Sequence, residues 1–568
     1  MINRKFHFNA IAKFFIGVFI MMNLVGCDKN NDDTFSPKLT VARESFDVSN
    51  SNSQYAIDVL SNKPWEAQSN VDWINLEITS GGNGRFNLSF SVVENDDDQR
   101  TGIITITIGG DTSREIVVNQ EAGNTDDIFV VPNGSGDGLS WSKATNLANA
   151  LNIAVSGNTI HIAEGTYVPS ETITGGDPSD ERDRTFEITR NITLVGGYPI
   201  NATKDTESDP SNYTTILSGN DSSYHVVVVS ASKDEGQKVG LHGLTISEGN
   251  AGSASTSTEI NGVKFRRDYG GGVVIGNAIV NISDTRIIEN KSEKFVAGIY
   301  AFEGSVVTMD NSEVSNNISV SNVGGIWVSE SKMYISNSKI LANEGGTGAG
   351  IHGYPDAEIY MNNSIVADNK GKSYGAGFYV RQNSIAILAN CMITGNSSTS
   401  KNGGGGIMMY NNTKVTIISS TITDNSVPIG PGAGIYRRSG ENVLNIYNSI
   451  ISGNHQLVDG KDVDTYEADA LPPKLESSTL GAMVFDQNGV DSNGITFNYN
   501  TMLQNLGDFV IVPVGENNPA LIYGADLEEL VRIGDRQDPK VEESIITSDL
   551  SHNSRTGLKI MGAFVNIN

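Results

Sequence analysis

The sequence predicts an all-β protein, an immunoglobulin-like β-sandwich followed by a right-handed parallel β-helix with an N-terminal capping helix. Three observations carry this prediction. Residues 39–122 alternate apolar and polar side chains, a similar unit recurs every 26 to 29 residues between about 240 and 454, and 61 of the 568 residues are Gly. Alternation with a period of two is typical of half-buried strands, and a fixed repeat is typical of a solenoid. Abundant Gly fits the many turns that both folds need.

The first 38 residues predict an export signal and a tether. Arg4, Lys5 and Lys13 precede an apolar run at 14–25 that is too short for a membrane-spanning helix. The run ends in Leu-Val-Gly-Cys, which resembles the bacterial lipoprotein box. The resemblance implies that residues 1–26 are a signal peptide and that Cys27 takes the lipid. An ordinary secretory signal is the alternative.

The stretch after this cysteine extends the prediction to a location. Residues 28–33, DKNNDD, resemble the acidic export signal of surface lipoproteins in Bacteroidota. This implies a protein that is lipid-anchored in the outer membrane, exposed on the cell surface, and joined to its anchor by a polar tether at 27–38. We expect no other contact with the membrane, and we expect a monomer.

Residues 39–122 carry the landmarks of a known module. The landmarks are Trp65, DWINL at 72–76, the turn ENDDDQRTG with Arg100 and Gly102, and the closing Asn119-Gln120. Together they resemble the BACON domain, a module often found before carbohydrate-active domains. The resemblance implies either carbohydrate binding or a spacer role, and we favour the spacer. Trp65 and Trp73 are predicted to pack in the sandwich, and 96–98 to form a solvated hairpin tip.

Residues 127–568 are predicted to form the β-helix, and within them a clear repeat runs from about residue 240 to 454. Each unit has a Gly-Gly or Ala-Gly pair, an apolar residue, a variable residue, and an alternating strand that ends in Asn or Asp. One Asn closes each successive unit: Asn290, Asn317, Asn343, Asn369, Asn396, Asn425 and Asn454. A second polar column lies six residues earlier: Asp284, Asn311, Asn337, Asn363, Asn390, Ser419 and Asn448. Because identical corners stack in a solenoid, these amides are predicted to hydrogen-bond from coil to coil.

The two ends of this region resemble pectin-lyase-like β-helix proteins of Bacteroidota. The stretch 130–169 contains SW, a run of alanines and leucines, and GNTIHIAEGTY, and it is followed by FEITRNITLVGGYP at 186–199. The resemblance implies a capping helix and then the first coil. Residues 549–564 resemble the terminal coil of that family, without its usual DIGA pattern. A cap is also required physically, since an open solenoid end exposes apolar interior and unpaired strand edges.

The alternation of side chains sorts the repeat into inward and outward columns. The residue after each Gly is predicted to be buried: Val273, Ile299, Ile326, Ile351, Phe378, Ile407 and Ile435. The next residue then points outward to solvent: Val274, Tyr300, Trp327, His352, Tyr379, Met408 and Tyr436. Two residues later lies a second outward column: Gly276, Phe302, Ser329, Tyr354, Arg381, Tyr410 and Arg438. Arg437 falls at an inward position, which indicates an irregularity in the last clear coil.

The outward columns predict a glycan-binding face. Aromatic rings offer flat apolar platforms to sugar rings, and Arg or His side chains donate to hydroxyls or carboxylates. The predicted ligand-binding residues are Tyr300, Phe302, Trp327, His352, Tyr354, Tyr379, Arg381, Tyr410, Tyr436 and Arg438. The predicted partner is a polysaccharide, of host or dietary origin. A ladder of aromatics that only stiffens the sheet is the structural alternative.

Catalysis is the second alternative. Glycoside hydrolysis needs converging carboxylates, and the outward columns contain none. A polysaccharide lyase acting on an acidic glycan could instead use His352, Tyr354, Tyr379 and Arg381 as base and charge neutraliser. Calcium would be required only under that alternative, and we identify no metal site or other cofactor. We therefore favour binding without catalysis.

Composition excludes other classes. The net charge of −27 leaves no basic stripe for a nucleic acid. With only two cysteines, disulfides cannot hold the fold together. Cys391 occupies a column otherwise filled by Ser and is predicted to be a small packed residue. His161 and His242 lie in apolar strands and are predicted to be structural.

Overall fold

A computed structural model describes residues 36–95, 99–109, 112–121, 126–401, 403–428, 432–456, 465–467, 479–480, 483–484, 503–505, 511–513, 527–555 and 563. The signal peptide, Cys27 and most of the tether lie outside these residues, as does the predicted hairpin tip at 96–98. The described residues form two compact units, which divide after Glu121. No helix in the described part of the chain is long and apolar enough to span a membrane.

The first unit is a β-sandwich of two sheets. One has four antiparallel strands in the order Leu39–Val41, Ser53–Ser61, Gly84–Val92 and Ile74–Leu76. The other has five strands in the order Ser45–Val48, Thr112–Gln120, Arg100–Ile108, Trp65–Ser69 and Ser80–Gly81, of which the first two run parallel. Burial alternates along the strands, so the predicted period-two pattern corresponds to one face in the core.

The sequence landmarks of this unit are packing residues. Trp65 is 3% exposed and stacks on Phe86 at 4.0 Å between ring centroids. Trp73 is 9% exposed, and the Arg100 guanidinium lies 4.6 Å from its ring. Arg100 also donates to Gln120 Oε1 at 2.9 Å. The predicted packing roles of both tryptophans are confirmed.

The second unit is a parallel solenoid. Four parallel sheets run along it, and each full coil contributes one strand to each sheet in the order first, second, third and fourth.
The first sheet has ten strands: Phe186–Ile188, Val227–Val229, Val273–Gly276, Ile299–Phe302, Ile326–Val328, Ile351–Gly353, Phe378–Arg381, Ile407–Tyr410, Ile435–Arg437 and Thr465–Glu467.
The second has twelve: Asp127–Val130, Thr159–Ala163, Thr193–Tyr198, Lys238–His242, Ile279–Ser283, Val306–Asp310, Lys332–Ser336, Glu358–Asn362, Ile385–Ala389, Lys414–Ile418, Val443–Tyr447 and Thr479–Leu480.

The third and fourth sheets complete the coil.
The third has eleven strands: Gly165–Tyr167, Thr215–Ser218, Leu244–Ser247, Arg286–Ile288, Glu313–Ser315, Lys339–Leu341, Ile365–Ala367, Met392–Thr394, Thr421–Thr423, Ile450–Ile451 and Met483–Val484.
The fourth has eight: Asn250–Ala251, Lys291–Ser292, Ile318–Ser319, Glu344–Thr347, Lys370–Tyr374, Ser397–Ser398, Ser426–Val427 and His455–Gln456.
Two hairpins stand apart from these sheets, Ser257–Ile260 with Val263–Arg266 and Leu503–Asn505 with Ile511–Pro513.

The two polar columns form the corners of each coil. The seven residues from Asp284 to Asn448 all adopt the left-handed conformation, with φ between 44° and 59°, which Asn and Asp tolerate best among residues other than Gly. The seven asparagines from Asn290 to Asn454 are fully buried. Each of the first six donates from Nδ2 to Oδ1 of the next at 2.8 to 3.0 Å. The predicted coil-to-coil amide bonding is therefore confirmed for the closing asparagines.

Helices close or flank the solenoid. Helix α1, Leu147–Ile153, starts at Asn146, whose side chain accepts from the Asn149 amide, and buries Leu147 and Ala150 in the solenoid core. This is the predicted capping helix. Helices α2, Leu527–Asp535, and α3, Glu543–Thr547, pack Leu530, Ile533 and Ile546 against Ala389 and Ile418 of the second sheet. Short 3₁₀ turns occur at Trp141–Lys143, Glu181–Asp183 and Lys233–Glu235.

The segment at 549–555 is the described part of the predicted terminal coil. Arg555 is 2% exposed and donates to Asn390 Oδ1 at 2.9 Å. Burial lowers the pKa of its guanidinium to about 10. The segment is thus tied to the solenoid through a corner residue of the repeat.

Candidate functional site

The first sheet has the inward and outward sides that the sequence predicts. Val273, Ile299, Ile326, Ile351, Phe378, Ile407 and Ile435 all lie in the solenoid core. The residues that follow them are absent from that core and contact separate clusters outside it. The register is in phase, since Ile299 pairs with Ile326 and Ile351 pairs with Phe378 on neighbouring coils.

The expected exposure of the first outward column is wrong. Trp327 is 7% exposed, His352 and Tyr379 are 2% exposed each, and Tyr436 is 8% exposed. Tyr300 is half-buried. The rings stack on one another instead of facing solvent, with 5.0 Å between the centroids of Trp327 and His352 and 4.9 Å between His352 and Tyr379.

The turn that leads into the first sheet covers this column. A residue four positions before each column member sits against it, and it is most often a Gly with positive φ: Gly270, Gly348, Gly375, Gly404 and Gly432. A Cβ at Gly348 would lie 2.9 Å from His352 Cβ, and one at Gly375 would lie 2.8 Å from Tyr379 Cβ. The chain therefore folds back over the side chains that strand alternation points outward. Only Gly allows so close an approach in a left-handed turn.

Aromatic side chains from the same turns complete the cover. Tyr269 stacks on Phe295 at 4.2 Å and lies 5.5 Å from Trp327. Tyr374 lies 5.9 Å from Tyr379. Sequence reasoning missed these three residues, although each stands five residues before a member of the first outward column. That position is the signal that would have found them.

Phe302 in the second outward column is also buried, which corrects the expectation for that residue. It is 9% exposed, and its ring lies 5.5 Å from Phe265 of the hairpin at 257–266. The hairpin is an insertion between the fourth and first sheets, and it packs Ile260 and Val263 into the same cluster. Because it lies outside the repeat, the periodicity could not predict its position.

The remaining half-buried residues lie together on later coils, and we call them the tyrosine–arginine patch: Tyr354, Tyr374, Arg381, Tyr410 and Arg438. The Arg381 guanidinium lies 3.9 Å from the Tyr354 ring and 5.9 Å from the Tyr410 ring. Arg438 lies 5.2 Å from both Tyr374 and Tyr410. A hydrogen bond with Tyr374 raises the pKa of Arg438. Four of these residues were predicted as ligand-binding.

The four residues of the lyase alternative are close together, but two of them are inaccessible. His352 lies 5.8 Å from Tyr354, and Arg381 lies 5.6 Å from the Tyr379 ring. Burial, followed by the charge of Arg381, lowers the pKa of His352 to about 3, and both ring nitrogens are buried without a hydrogen-bond partner. Burial raises the pKa of Tyr379 to about 12. A base must reach the proton that it removes, and neither buried side chain reaches solvent.

Other titratable residues are structural or solvated. Cys391 is buried, and burial raises the pKa of its thiol to about 12, which keeps it protonated. His161 is hydrogen-bonded to Asp127 and Tyr198 at 2.8 Å each, and His242 to Ser283 at 2.7 Å. Within the described residues, no group of three or more His, Cys, Asp or Glu side chains is placed to hold a metal ion.

A groove of about 430 Å³ lies at the fourth sheet. It is lined by Ile318, Glu344, Asp368, Lys370 and Gly395 among others. Burial raises the pKa of Asp368. Glu344 is neutralised by Lys372 at 2.9 Å. The mixed charges of the groove indicate no particular ligand.

Comparisons with known proteins agree with this architecture. Residues 63–121 match the BACON family model, described as a putative binding domain, and residues 272–468 and 349–518 match the model of the right-handed β-helix region. No curated protein is similar enough in sequence to count as a relative.

Two solved structures are similar to parts of the chain. Pectate lyase Pel9A is 14% identical, with a TM-score of 0.33, over 56% of this chain and 77% of its own. A Bacteroides ovatus GH5 xyloglucanase in complex with a XXXG heptasaccharide is 13% identical, with a TM-score of 0.15, over 36% of this chain and 46% of its own. The aligned part thus spans less than half of the xyloglucanase. From the two family matches and the four-sheet solenoid, the chain carries a BACON domain followed by a right-handed parallel β-helix.

Proposed function

We propose that the protein binds a glycan through the tyrosine–arginine patch, without catalysis. The observation that carries the proposal is the packing of Arg381 at 3.9 Å over Tyr354 and 5.9 Å from Tyr410. Tyrosine rings held half-buried by guanidinium groups are rigid, and they keep a polar edge and an apolar face at the surface. Ordered aromatic platforms with adjacent donors are what a hydrated, flat-faced ligand such as a sugar requires.

The domain composition supports the same proposal. A BACON module and a right-handed β-helix both fit a carbohydrate-interacting protein. In the BACON unit both tryptophans are buried in the sandwich core, which supports a spacer role for that unit. The glycan contact is accordingly assigned to the solenoid.

The lyase alternative has less support. Its candidate base His352 and its candidate Tyr379 are each 2% exposed, so a polymer cannot reach them without opening of the turns at Gly348 and Gly375. The purely structural alternative explains the buried column well. It does not explain why two arginines are held over the half-buried tyrosines.

The proposal also includes a place in the cell. The lipoprotein box ending at Cys27 supports lipid anchoring and display on the outer membrane surface. Labelling of cells with an alkyne fatty acid tests this: the chain should be labelled, and the Cys27→Ser variant should not. Protease treatment of intact cells should remove the solenoid if it is displayed outside.

A polysaccharide screen of the purified chain tests the binding site. Tyr354→Ala and Tyr410→Ala should weaken retention on the glycan that binds, while Tyr334→Ala should not. Tyr334 is a matched control because it is a half-buried tyrosine of the second sheet, stacked on Tyr360 at 5.1 Å. Ultraviolet absorbance of unsaturated uronates, monitored in the same mixtures, should stay constant. Its growth would establish the lyase instead.

A further inference from the structure

We infer that the tyrosine–arginine patch takes an anionic glycan, with one carboxylate or sulfate group on Arg381 and a second on Arg438. This inference rests on the glycan-binding function proposed above and names the chemical class of the ligand. It follows from a comparison with the partners of other arginines in the solenoid, from the spacing of Arg381 and Arg438, and from the buried groups behind them.

Two of the three arginines stacked on tyrosines elsewhere in the described solenoid have an acidic partner. The third, Arg182, lies 4.2 Å from the Tyr224 ring, and its guanidinium donates to the backbone carbonyl oxygens of Ser222 and Asn250. The other two are Arg266 and Arg267. Arg266 lies 5.0 Å from the Tyr269 ring and is paired with Asp268 at 2.8 Å. Arg267 lies 5.7 Å from the Tyr224 ring and forms a bidentate pair with Asp183. In both cases a carboxylate satisfies the outer edge of the guanidinium while the ring covers one face.

Arg381 and Arg438 have the ring but not the acid. Neither forms an ion pair with any carboxylate of the described residues, although the chain carries 66 acidic residues against 39 basic ones. Arg381 Nε is buried and has no hydrogen-bond partner. A half-buried guanidinium loses hydrogen bonds to water, and an anion with two oxygens that accept parallel N–H bonds replaces them.

The two guanidiniums flank one tyrosine in a row along the solenoid. Arg381 pairs in register with Tyr410 on the next coil. Met409 pairs with Arg437 on the coil after that, which brings Arg438 level with Tyr410. Two coil steps amount to about 10 Å. The order along the row is therefore guanidinium, tyrosine ring, guanidinium. This order fits a polymer that has anionic groups at intervals and an uncharged sugar face between them.

His352 lies behind this row and contributes no charge. It is buried, with both ring nitrogens unpartnered, and stacks 5.8 Å from Tyr354, the ring under Arg381. Its pKa of about 3 keeps it neutral at physiological pH. The positive charge of the patch thus comes from the two arginines alone, which makes their removal a clean test.

Calorimetric titration of the purified chain tests the inference with three polymers. They are polygalacturonate, its fully methyl-esterified form, and heparin. Polygalacturonate or heparin should bind, and the methyl ester, with the same backbone and no charge, should bind about tenfold or more weakly. The anionic polymer that binds with the higher affinity identifies carboxylate or sulfate as the preferred group.

Charge-removing variants locate the site. Arg381→Gln and Arg438→Gln should each lower the affinity for the anionic polymer about tenfold or more. Arg286→Gln is the matched control and should have no effect, since Arg286 is an exposed arginine of the third sheet, 3.7 Å from Glu313. Thermal unfolding of every variant checks the fold. If Arg381→Gln does not fold, Arg438→Gln and Arg381→Lys, which keeps the charge but loses the planar stack, carry the test.

Three outcomes would overturn the inference. Equal affinity for polygalacturonate and its methyl ester, with Tyr410→Ala weakening both, would leave a neutral glycan site and the proposed function intact. Binding of an oligonucleotide as tight as that of either anionic glycan, lost in the same variants, would show a general polyanion site. No binding of any glycan would remove the proposed function as well.

Discussion

The two outward columns of the first sheet stand two residues apart on the same strands, yet they have different environments. Trp327, His352 and Tyr379 form a buried stack, whereas Tyr354, Arg381 and Tyr410 remain half-buried. Both columns are rich in aromatic residues, and both point away from the solenoid core. The difference teaches that, on a solenoid, strand alternation decides which way a side chain points, and the preceding turn decides whether it meets solvent.

The reach of the turn explains the difference. The turn glycines lie against the residue four positions later, as Gly348 does against His352 and Gly404 against Met408. The earlier coils are covered further by the 257–266 hairpin, which reaches Phe302. On later coils the second column, by contrast, has half-buried side chains that keep part of their surface exposed. Its tyrosines and arginines are therefore available to a ligand, while the first column contributes mainly to stability.

The largest expected effect is on stability from truncating the buried stack. Trp327→Ala should lower the free energy of unfolding by about 3–5 kcal/mol, because it leaves a cavity among rings and removes the bond from Nε1 to the Tyr354 carbonyl oxygen at 2.8 Å. Chemical denaturation measures this. An unchanged unfolding free energy combined with lost glycan binding would place Trp327 in the binding site instead.

A glycine substitution tests the turn itself. Gly375→Ala should cost about 1–3 kcal/mol or more, since its φ is +46° and a Cβ would meet the Phe378 carbonyl oxygen at 2.7 Å. Gly236→Ala is the control, with φ of +71° and no atom within 4 Å of the added Cβ, so it carries only the backbone strain. Equal unfolding midpoints for the two variants would contradict close contact between the turn and the stack.

The buried histidine predicts a pH dependence. The folded pKa of His352 is lowered to about 3, so between pH 6.5 and 3 the unfolded chain binds the proton and the folded chain does not. Stability is then lost as pH falls through this window, by about 2 kcal/mol at pH 5 relative to pH 7. His352→Phe should remove that share of the loss. Identical slopes of unfolding free energy against pH in both proteins would show that His352 is accessible to protons when folded.

The smallest expected effect on stability is at the patch. Tyr410→Ala should change the free energy of unfolding by less than about 1 kcal/mol, because the ring is half-buried and packs against two guanidiniums and the edge of the buried stack. Its effect on glycan affinity should be larger than that of Trp327→Phe. If Tyr410→Ala destabilised the protein as much as Trp327→Ala, the second column would have the same structural role as the first.

Much of the fold is readable in the sequence because it depends on repeated local rules. The asparagine column from Asn290 to Asn454 predicted its own hydrogen bonds. Asp284 and its equivalents predicted the corners, and the structure shows that these corners are left-handed. Because the same corner pattern recurs in every coil, the prediction for one corner is supported by all the others. Cys391 was identified as a packed residue in the same way, from the serines that occupy its column.

The candidate site was predicted only in part. The sequence determined the orientation of Tyr354, Arg381, Tyr410 and Arg438, since alternation with a period of two is a property of the strand. The irregularity expected at Arg437 is not a slip of register, because Arg437 pairs with Met409 in phase with the rest of its strand. Its side chain is half-buried and donates to the Asn442 carbonyl oxygen at 2.8 Å.

What the sequence by itself determined is the architecture: strands, corners, coil spacing and the side of the sheet on which each residue stands. What only the tertiary structure decided is which of the outward residues are covered. That depends on the path of turns and of an inserted hairpin, whose contacts join residues of different coils. Burial is a property of the neighbours a side chain meets in space, and those neighbours here come from segments outside the strand that carries it.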